Sequence, residues 1–391
     1  MNANLTNTSV GPCPADFAFF SEDSRRGQVV SLTLQGILSL VGNLLVIGVL
    51  YKNRDMRTVT NVFIANMAVS DLIFPLVVLP KEIARRYTGG YWLVHGVFGN
   101  LLCKAVHFLQ DVSTAVSLQS HLAISFERFY AVMFPLRARQ SNNCCRIFTL
   151  VLTWLSAMCF YVPYFITFRL VPFRDGYMCI HDWEPIFGIE NTNDTQKKFF
   201  LTYLSVNYII PLCVIIGLYT VLFMKLRRRK VIGQDFARRE AREEQQKRHI
   251  VKLAATIVFC FAILWAPMHV FYILYIFKWH LRLPCGLMAL HFSVFYIAWL
   301  NSATNPIIYF IYSHNYRNGL RNLIRGILAF GSRLGPHNSV GIEPTMTAIS
   351  SELRETSRGT PRQLRRKMTS PELSVMRPQT GDSHPGSGDH T

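Results

Sequence analysis

The stretch Asn301-Ser302-Ala303-Thr304-Asn305-Pro306-Ile307-Ile308-Tyr309 puts two amides, a proline and a phenol into an otherwise apolar run. In hydrocarbon each unsatisfied polar group costs on the order of several kcal/mol. These polar side chains are therefore expected to face the interior of a helix bundle and to form hydrogen bonds there. Pro306 is expected to loosen its helix and to let the bundle move.

The composition around this stretch places the chain in a membrane. Half of the 391 residues are hydrophobic and only 16% are charged, whereas soluble proteins carry about 25% charged residues. The net charge of +18 comes from Lys and Arg that lie outside the apolar runs. Cytoplasmic loops and anionic headgroups explain that excess better than nucleic-acid binding does.

The apolar runs predict an all-α membrane protein, a seven-transmembrane helix bundle with a short amphipathic eighth helix. Each run is long enough to cross about 30 Å of hydrocarbon, and together they cover approximately 29–51, 61–84, 100–131, 146–168, 199–225, 249–277 and 286–312. The predicted organisation is an amino-terminal segment over 1–28, a bundle over 29–312, an amphipathic helix over 313–330 and a disordered cytoplasmic tail over 331–391. No repeated halves of the kind found in transporters are visible.

Basic residues predict the orientation, because Lys and Arg collect on the cytoplasmic side. They cluster between the first and second runs, after the third, and over 225–230 after the fifth. The amino terminus is then extracellular, in a multi-pass protein of the plasma membrane whose first run is a retained signal anchor. Three glycosylation sequons fall on this outer side, at Asn4, Asn7 and Asn193.

Motifs in every run resemble those of the rhodopsin-like (class A) G-protein-coupled receptors. In chain order they are Gly42-Asn43, Asn66 to Asp71, Cys103, Glu127-Arg128-Phe129, Trp154, Pro211, Tyr219, Phe261, Leu264-Trp265-Ala266-Pro267 and Asn305-Pro306-Ile307-Ile308-Tyr309. The resemblance covers roughly residues 29 to 328, and the motifs are specific in combination. It implies a non-enzymatic receptor that activates heterotrimeric G proteins.

Asp71 is an acid near the middle of the membrane. A lone carboxylate there is either protonated or paired with a cation. Its expected polar neighbours are Ser117, Asn301, Asn305 and Asn43. The resemblance implies a sodium ion in this pocket, with Asp71 as its metal ligand; the alternative is a neutral, hydrogen-bonded acid. No other cofactor is expected.

The resemblance also implies an activation switch at the cytoplasmic end. Glu127 and Arg128 can pair locally in the resting state, and a freed Arg128 can reach another helix or Tyr219. The acid that the family often places opposite this arginine is absent, since Lys247 stands there. The sequence therefore does not predict whether the receptor has basal activity.

Trp265 and Phe261 lie one turn apart near Pro267 in the sixth run. They are either ordinary core aromatics or, as the resemblance implies, a relay from the ligand into movement of the sixth helix. Pro306 and Tyr309 complete the predicted switch.

Two absences in the sequence argue against two classes of ligand. Amine receptors of this family carry an Asp eighteen residues before Arg128, where this chain has Gln110, and Asp111 is rotated by about 100°. Opsins need a lysine in the seventh helix, and 286–312 contains none. The resemblance makes Gln110 typical of peptide receptors, and the connection between the fourth and fifth runs, which is rich in acids and aromatics, suits a peptide lid. The prediction is therefore a neuropeptide receptor; a receptor for a lipid or another non-amine small molecule is the alternative.

The predicted pocket combines one acid with amide, hydroxyl and aromatic groups. Its residues are Glu82, Gln110, Thr114, His269, Tyr272, Phe292, Phe295 and Trp299. Glu82 pairs either with a basic residue of the peptide or with a neighbour such as Lys81 or Arg86.

Beyond the bundle, Leu320, Leu323 and Ile324 alternate with arginines at helical spacing, which predicts an interfacial helix that contacts membrane lipids. The tail after 331 offers Ser and Thr, among them Ser350 and Thr356, for phosphorylation and arrestin recruitment. An inert tail is the alternative.

Four of the nine cysteines are expected on the oxidising side. The resemblance implies a disulfide between Cys103 and Cys179. Cys13 and Cys285 are then predicted to pair and close the amino terminus over the pocket, the alternative being a Cys13 that is free or bonded to another molecule.

Overall fold

The computed structural model describes residues 21–135, 143–174, 176–184, 188, 192–228, 234–280 and 283–333. Within these ranges the chain forms eight long helices and one hairpin. Three of the helices change helix type along their length, and one is interrupted at a single residue, Leu300. The elements are α1 (Glu22–Lys52), α2 (Val59–Thr88), α3 (Gly96–Met133), α4 (Asn143–Tyr161, with a further turn at Tyr164–Thr167), β1 (Phe168–Phe173), β2 (Gly176–His181), α5 (Thr192–Arg228), α6 (Gln234–Lys278), α7 (Met288–Tyr312) and α8 (His314–Arg333).

Six of these helices are long and apolar enough to cross a membrane by length and composition, namely α1, α2, α4, α5, α6 and α7. Their lipid-facing sides are visible as exposed aliphatic rows; on α1, Leu34, Leu38 and Val41 are about half exposed. Such rows are unfavourable in water and match a hydrocarbon environment. The predicted segments lie within or close to these helices. Most of the helices extend past the apolar runs by up to about two turns, whereas α6 begins at Gln234, about four turns before its run.

α3 corresponds to the third predicted span, but its composition is too polar for it to count among these six helices. It is 38 residues long, about 57 Å at 1.5 Å per residue. Its polar residues Ser117, Ser120, His121 and Ser125 are at most 2% exposed. α3 is therefore surrounded by other helices rather than by lipid, which explains why its sequence is less apolar.

Buried polar side chains join the helices at their centres. The Asn43 amide of α1 donates to the Ser302 carbonyl of α7 at 2.9 Å. Asn66 of α2 donates to Ser120 on α3 at 2.9 Å and accepts from the Trp154 indole of α4 at 2.9 Å. These bonds satisfy groups that hydrocarbon would leave unpaired.

Proline and π-helical turns interrupt several spans. A π turn at Phe74–Val78 contains Pro75, and another at Ser205–Ile209 precedes Pro211. Proline lacks the N–H that would close the regular helix, and single π turns often accompany functional sites. Pro267 and Pro306 lie inside α6 and α7.

A β-hairpin connects α4 to α5 and was not predicted by the all-α interpretation. β1 and β2 pair antiparallel, with Phe168 opposite His181 and Leu170 opposite Cys179. The disulfide Cys103–Cys179 ties β2 to the first turns of α3. The end of the bundle that carries this hairpin is called the hairpin end below, and the opposite end the Arg128 end.

α8 runs along the Arg128 end after a break at Ser313. Its Tyr316 is buried and stacks on Tyr309 of α7, with ring centroids 5.6 Å apart. Lys52 of α1 donates to the Asn322 carbonyl at 3.3 Å. These contacts dock the predicted amphipathic helix against α1 and α7.

Candidate functional site

The Asp71 carboxylate sits at the centre of the bundle and is 3% exposed. Asn305 donates to its Oδ2 at 2.9 Å and Ser117 to its Oδ1 at 3.3 Å. Asn301 is buried in the same region. The structure thus brings together the four residues of the predicted sodium site.

A small cavity of about 30 Å³ lies beside this carboxylate and is lined by Asp71, Ser117, Asn301 and Ser113, among others. A single water-sized occupant needs roughly 10–15 Å³. The lining offers one carboxylate and neutral oxygens, which are the donors that hard cations prefer. These residues fit a sodium ion in size and chemistry.

A larger cavity of about 690 Å³ opens between the helices beneath the hairpin. Five residues of the predicted pocket line it: Gln110, Tyr272, Phe292, Phe295 and Trp299. Cys179, Ile180 and His181 of β2 also line it, so that the disulfide-tethered strand forms part of its wall.

Three residues of the predicted pocket lie outside this lining. Glu82 is turned toward Lys81 and Arg86, at 3.1 and 3.5 Å. Thr114 lines the small cavity instead. His269 is 4% exposed and packs against Tyr208 of α5, with ring centroids 4.1 Å apart. Knowing which side of a helix faces the interior does not reveal which of its side chains will be covered by neighbouring helices.

The structure adds charged and polar lining that sequence reasoning missed, including Arg85, Arg86, Asp111, His107, Tyr164 and His291. Asp111 is the instructive case, because its 100° rotation from Gln110 was taken to remove it. The cavity wraps around both sides of α3, and Asp111 Oδ2 accepts a hydrogen bond from Tyr164 at 2.7 Å. The sequence did contain a signal for this residue, because Asp111 directly follows Gln110, which was predicted to line the pocket.

Stacked rings fix the hairpin wall. The Phe168 ring lies between His107 and His181, with centroids 4.3 and 4.4 Å away and planes within 12°. His181 Nε2 lies 3.0 Å from the Thr167 hydroxyl. Burial lowers the pKa of His181 to about 4 against a weaker opposing effect of Asp182. The imidazole is therefore neutral at physiological pH, which suits a stacked apolar environment.

Trp265 lines both cavities and so lies between the large pocket and the Asp71 site. Its ring stacks on Phe261, with centroids 5.9 Å apart, and Phe261 meets His121 of α3 edge-on at 5.4 Å. Pro267 follows within the same helix. The arrangement forms a continuous aromatic contact from the large cavity toward the interior of the bundle.

At the Arg128 end, Arg128 Nε lies 2.7 Å from Glu127 Oε2. Thr60 of α2 completes the group, since its hydroxyl donates to Glu127 at 2.7 Å and accepts from Arg128. Tyr219 is part of the apolar packing around this end. The buried Tyr309 hydroxyl of α7 has no hydrogen-bond partner among the described residues.

α1 packs closely against Pro306 of α7. A Cβ on Gly42 would lie 2.8 Å from the Pro306 Cβ. Glycine is therefore required for the close approach of α1 and α7 at the point where Pro306 interrupts its helix.

Several predicted features lie outside the described residues. They are Cys13, Asn4, Asn7 and the tail from 334 onward with its Ser and Thr. Of Asn193 and Cys285 only the backbone is described, in the first turn of α5 and in a short turn before α7. The predicted bond between Cys13 and Cys285 and the glycosylation of the sequons stay predictions.

Among the described residues, no group of three or more His, Cys, Asp or Glu is placed to hold a metal ion. The Asp71 site differs in kind, since it combines a single acid with neutral oxygens.

Comparison with known proteins bears on the whole bundle. The sequence pattern described as "7 transmembrane receptor (rhodopsin family)" matches residues 42–309. A substance-P receptor from Rattus norvegicus is 30% identical over 74% of this chain and 68% of its own length. Neuropeptide Y receptor type 1 from Xenopus laevis is 28% identical over 80% of this chain and 84% of its own length. Galanin receptor 2b from Danio rerio is 27% identical over 88% of each chain.

The matched region begins at Gly42, which packs against Pro306, and ends at Tyr309, so it contains both cavities, Trp265 and Arg128. Family pattern, helix arrangement and disulfide agree over this range. The chain belongs to the rhodopsin family of seven-transmembrane receptors.

Proposed function

We propose that this receptor binds an extracellular peptide in the cavity beneath the hairpin and activates heterotrimeric G proteins at the Arg128 end. The observation that carries the proposal is the cavity of about 690 Å³, walled by β2 and lined by charged, amide and aromatic groups. Peptide backbones need hydrogen-bonding groups and peptide side chains need aromatic surface, and this lining supplies both. Such a receptor is not an enzyme.

The names of the similar proteins also support a peptide ligand. Substance P, galanin and neuropeptide Y receptors are each named for a peptide, and they align with this chain over most of the bundle. A lipid ligand fits less well, because Arg85, Arg86, Asp111 and Gln110 line the cavity and an acyl chain offers these polar groups no hydrogen bond in place of the water that it displaces.

The receptor would lie in the plasma membrane with the hairpin end outside. The positive-inside rule supports this orientation, since the loops after α1, α3 and α5 carry the basic clusters. The disulfide Cys103–Cys179 then lies on the oxidising side. The free Cys144 and Cys145 at the start of α4 lie on the reducing side.

Activation would begin where a ligand presses on Trp265 at the floor of the cavity. Movement of Trp265 displaces Phe261, and the proline breaks in α6 and α7 allow the Arg128 end to open. Arg128 then leaves Glu127 and Thr60 and becomes available to Tyr219 or to the G protein. The alternative is that Trp265 and Phe261 are only core aromatics.

A sodium ion at Asp71 would stabilise the resting arrangement. Asp71 and Ser117, with Asn301 and Asn305 beside them, would hold it. The ion would supply the positive charge that the buried carboxylate otherwise lacks.

Two further partners complete the proposal. The arginines of α8, with its apolar face against α1, suit anionic lipid headgroups. Phosphorylation of Ser and Thr after residue 334 would recruit arrestin.

The test is a screen of amidated neuropeptides on cells that carry the receptor, read with calcium and cyclic-AMP reporters. We expect one or more peptides to evoke a response that Arg128→Ala abolishes at equal surface expression. Responses to lipid extracts alone would refute the peptide assignment. Peptide responses that persist in Arg128→Ala would refute the assigned coupling residue.

A further inference from the structure

The cavity beneath the hairpin carries one acid among its described lining residues, Asp111 of α3. Its side chain is partly exposed, so that a ligand in the cavity can reach it. Tyr164 of α4 donates to Oδ2 at 2.7 Å, and Gln110 also forms a hydrogen bond with the carboxylate. A carboxylate can accept about four hydrogen bonds. These two neutral donors therefore leave acceptor capacity for a third partner.

The receptor's own cation near this acid is held by other groups. The basic side chain whose charge acts on Asp111 is that of Lys81 on α2. Its ammonium lies 3.1 Å from Glu82 and donates to the Gln110 side-chain oxygen at 2.9 Å. Lys81 is thus connected to Asp111 through Gln110. Because a carboxylate inside a protein is stabilised by a cation in direct contact, a positive group of a ligand would find a favourable partner here.

Aromatic rings surround the acid on the side of α4, α5 and α6. Tyr164, Tyr203 and Tyr272 all line the cavity, one from each of these helices or the turn that follows α4. Phe200 joins Tyr203 to Tyr272, with ring centroids 6.3 and 5.7 Å away. The charge of Asp111 acts on both Tyr203 and Tyr272, which places these rings near the carboxylate. Ring faces attract cations, and the carboxylate adds a full negative charge beside them.

Glu82, the acid for which the sequence allowed the same role, is less suited to it. Its side chain is 4% exposed and lies 3.1 Å from Lys81 and 3.5 Å from Arg86. A ligand cation could reach Glu82 only by displacing one of these buried cations, which is strongly unfavourable. Arg86 also lies 4.9 Å from the Phe292 ring of α7. Its side of the cavity is thus formed by α2 and α7, whereas Asp111 contacts α4.

We propose that the cavity binds a cationic group of its ligand, the guanidinium of an Arg or the ammonium of a Lys side chain, between the Asp111 carboxylate and the tyrosine rings of α4, α5 and α6. The inference rests on the proposed function in that it places the peptide in the same cavity. It assigns to Asp111 the contact with a basic residue that was considered for Glu82, and Glu82 acts within the receptor.

The test uses the purified full-length receptor in lipid nanodiscs and four short probes: acetyl-Phe-Arg-amide, its uncharged isostere acetyl-Phe-citrulline-amide, acetyl-Phe-Lys-amide and acetyl-Phe-Glu-amide. Affinities are measured by ligand-dependent protection against thermal unfolding. We expect the tighter of the Arg and Lys probes to bind at least about tenfold more tightly than the citrulline probe, as a hydrogen bond between charged groups predicts, and the Glu probe to bind most weakly. Which of the two cations binds more tightly identifies the source of the positive charge.

Matched variants locate the effect. Asp111→Asn should remove most of the preference for the cationic probe, because it keeps the size of the side chain and removes the charge, and Asp111→Glu should keep part of it. Glu22→Gln should leave the preference unchanged, because Glu22 is exposed on α1 and pairs with Arg26. If Asp111→Asn does not fold, Asp111→Ser provides a second neutral variant.

Four results would overturn the proposal. They are equal affinity for the cationic and citrulline probes, a preference for the Glu probe, no binding of any probe, and a preference for the cationic probe that persists in a folded neutral variant of Asp111. The first three are measured on the unaltered receptor, so that they decide against the proposal even if every variant fails to fold.

Failure of the proposed function has a different signature. A preference for the cationic probe that depends on Asp111, with no peptide evoking nucleotide exchange on G proteins, would refute the function and leave the cation site standing. Peptide-evoked exchange without any preference among the probes would refute the cation site alone.

Discussion

Removing the Glu82 carboxylate should destabilise the folded receptor more than a surface substitution of the same type. In Glu82→Gln, Lys81 and Arg86 keep their positive charges but lose the carboxylate that lies 3.1 and 3.5 Å away. The Glu82 side chain is 4% exposed, so little water is available to replace it.

The magnitude follows from burial. Breaking a buried ion pair by removing one partner costs roughly 3–5 kcal/mol. Glu22→Gln is the matched control, since Glu22 pairs with Arg26 while both side chains are more than 60% exposed. An exposed pair contributes only about 0–1 kcal/mol. The structure therefore predicts a difference of at least about 2 kcal/mol between the two variants.

The assay is the half-life of folded receptor in nanodiscs at a fixed temperature, because large membrane proteins commonly unfold irreversibly and the rate is then the defined quantity. Glu82→Gln should shorten the half-life markedly and Glu22→Gln hardly at all. Adding Lys81→Met to Glu82→Gln removes one of the two unbalanced charges and should recover part of the loss. If Glu82→Gln loses no more stability than Glu22→Gln, Glu82 does not balance these cations and the reasoning fails.

Three further predictions address other parts of the molecule. Asp71→Asn should keep surface expression and abolish the sodium dependence of agonist affinity; unchanged sodium dependence would remove Asp71 as the ion's anchor. Arg128→Ala should abolish nucleotide exchange while leaving peptide affinity largely intact, because Arg128 lies at the end opposite the cavity, and normal exchange would contradict its role. The folded receptor should lose stability as pH falls from about 6.5 to about 4, since the unfolded chain takes up a proton that the partly buried His181 does not. His181→Phe should reduce that loss by at most about 3 kcal/mol, and an unaltered pH profile in the variant would show that His181 is not the source.

The bundle could be predicted because its causes are local. Apolar runs, proline positions and buried amides such as Asn305 depend on the membrane and on helix geometry, which the sequence carries directly. The segment of α3 was predicted from its apolar run over 100–131 despite its polar residues, and Cys103 and Arg128 lie near its two ends. The hairpin was missed because the strands Phe168–Phe173 and Gly176–His181 are short and depend on pairing with each other and on the tether to α3.

The cavity could be predicted only in part. Helical spacing identifies which side of a helix faces inward, and Tyr272, Phe292 and Trp299 do line the cavity. It does not tell how deep a side chain lies or what covers it, so His269 ended against Tyr208 instead. Where the end of a long side chain such as that of Arg85 lies depends on neighbours from other helices, and no local sequence pattern predicts it.

The central claim is that a peptide bound beneath the hairpin drives G-protein activation. The most direct measurement is peptide-dependent nucleotide exchange on purified heterotrimeric G protein by receptor in nanodiscs, with Phe295→Ala in the cavity compared with Phe277→Ala on the exposed side of α6. The account predicts exchange that depends on the peptide, is weakened at least about tenfold in potency by Phe295→Ala, as a loss of more than about 1.4 kcal/mol requires, and is unchanged by Phe277→Ala. Exchange evoked by lipid but not by peptide, or equal peptide potency in both variants, would contradict it.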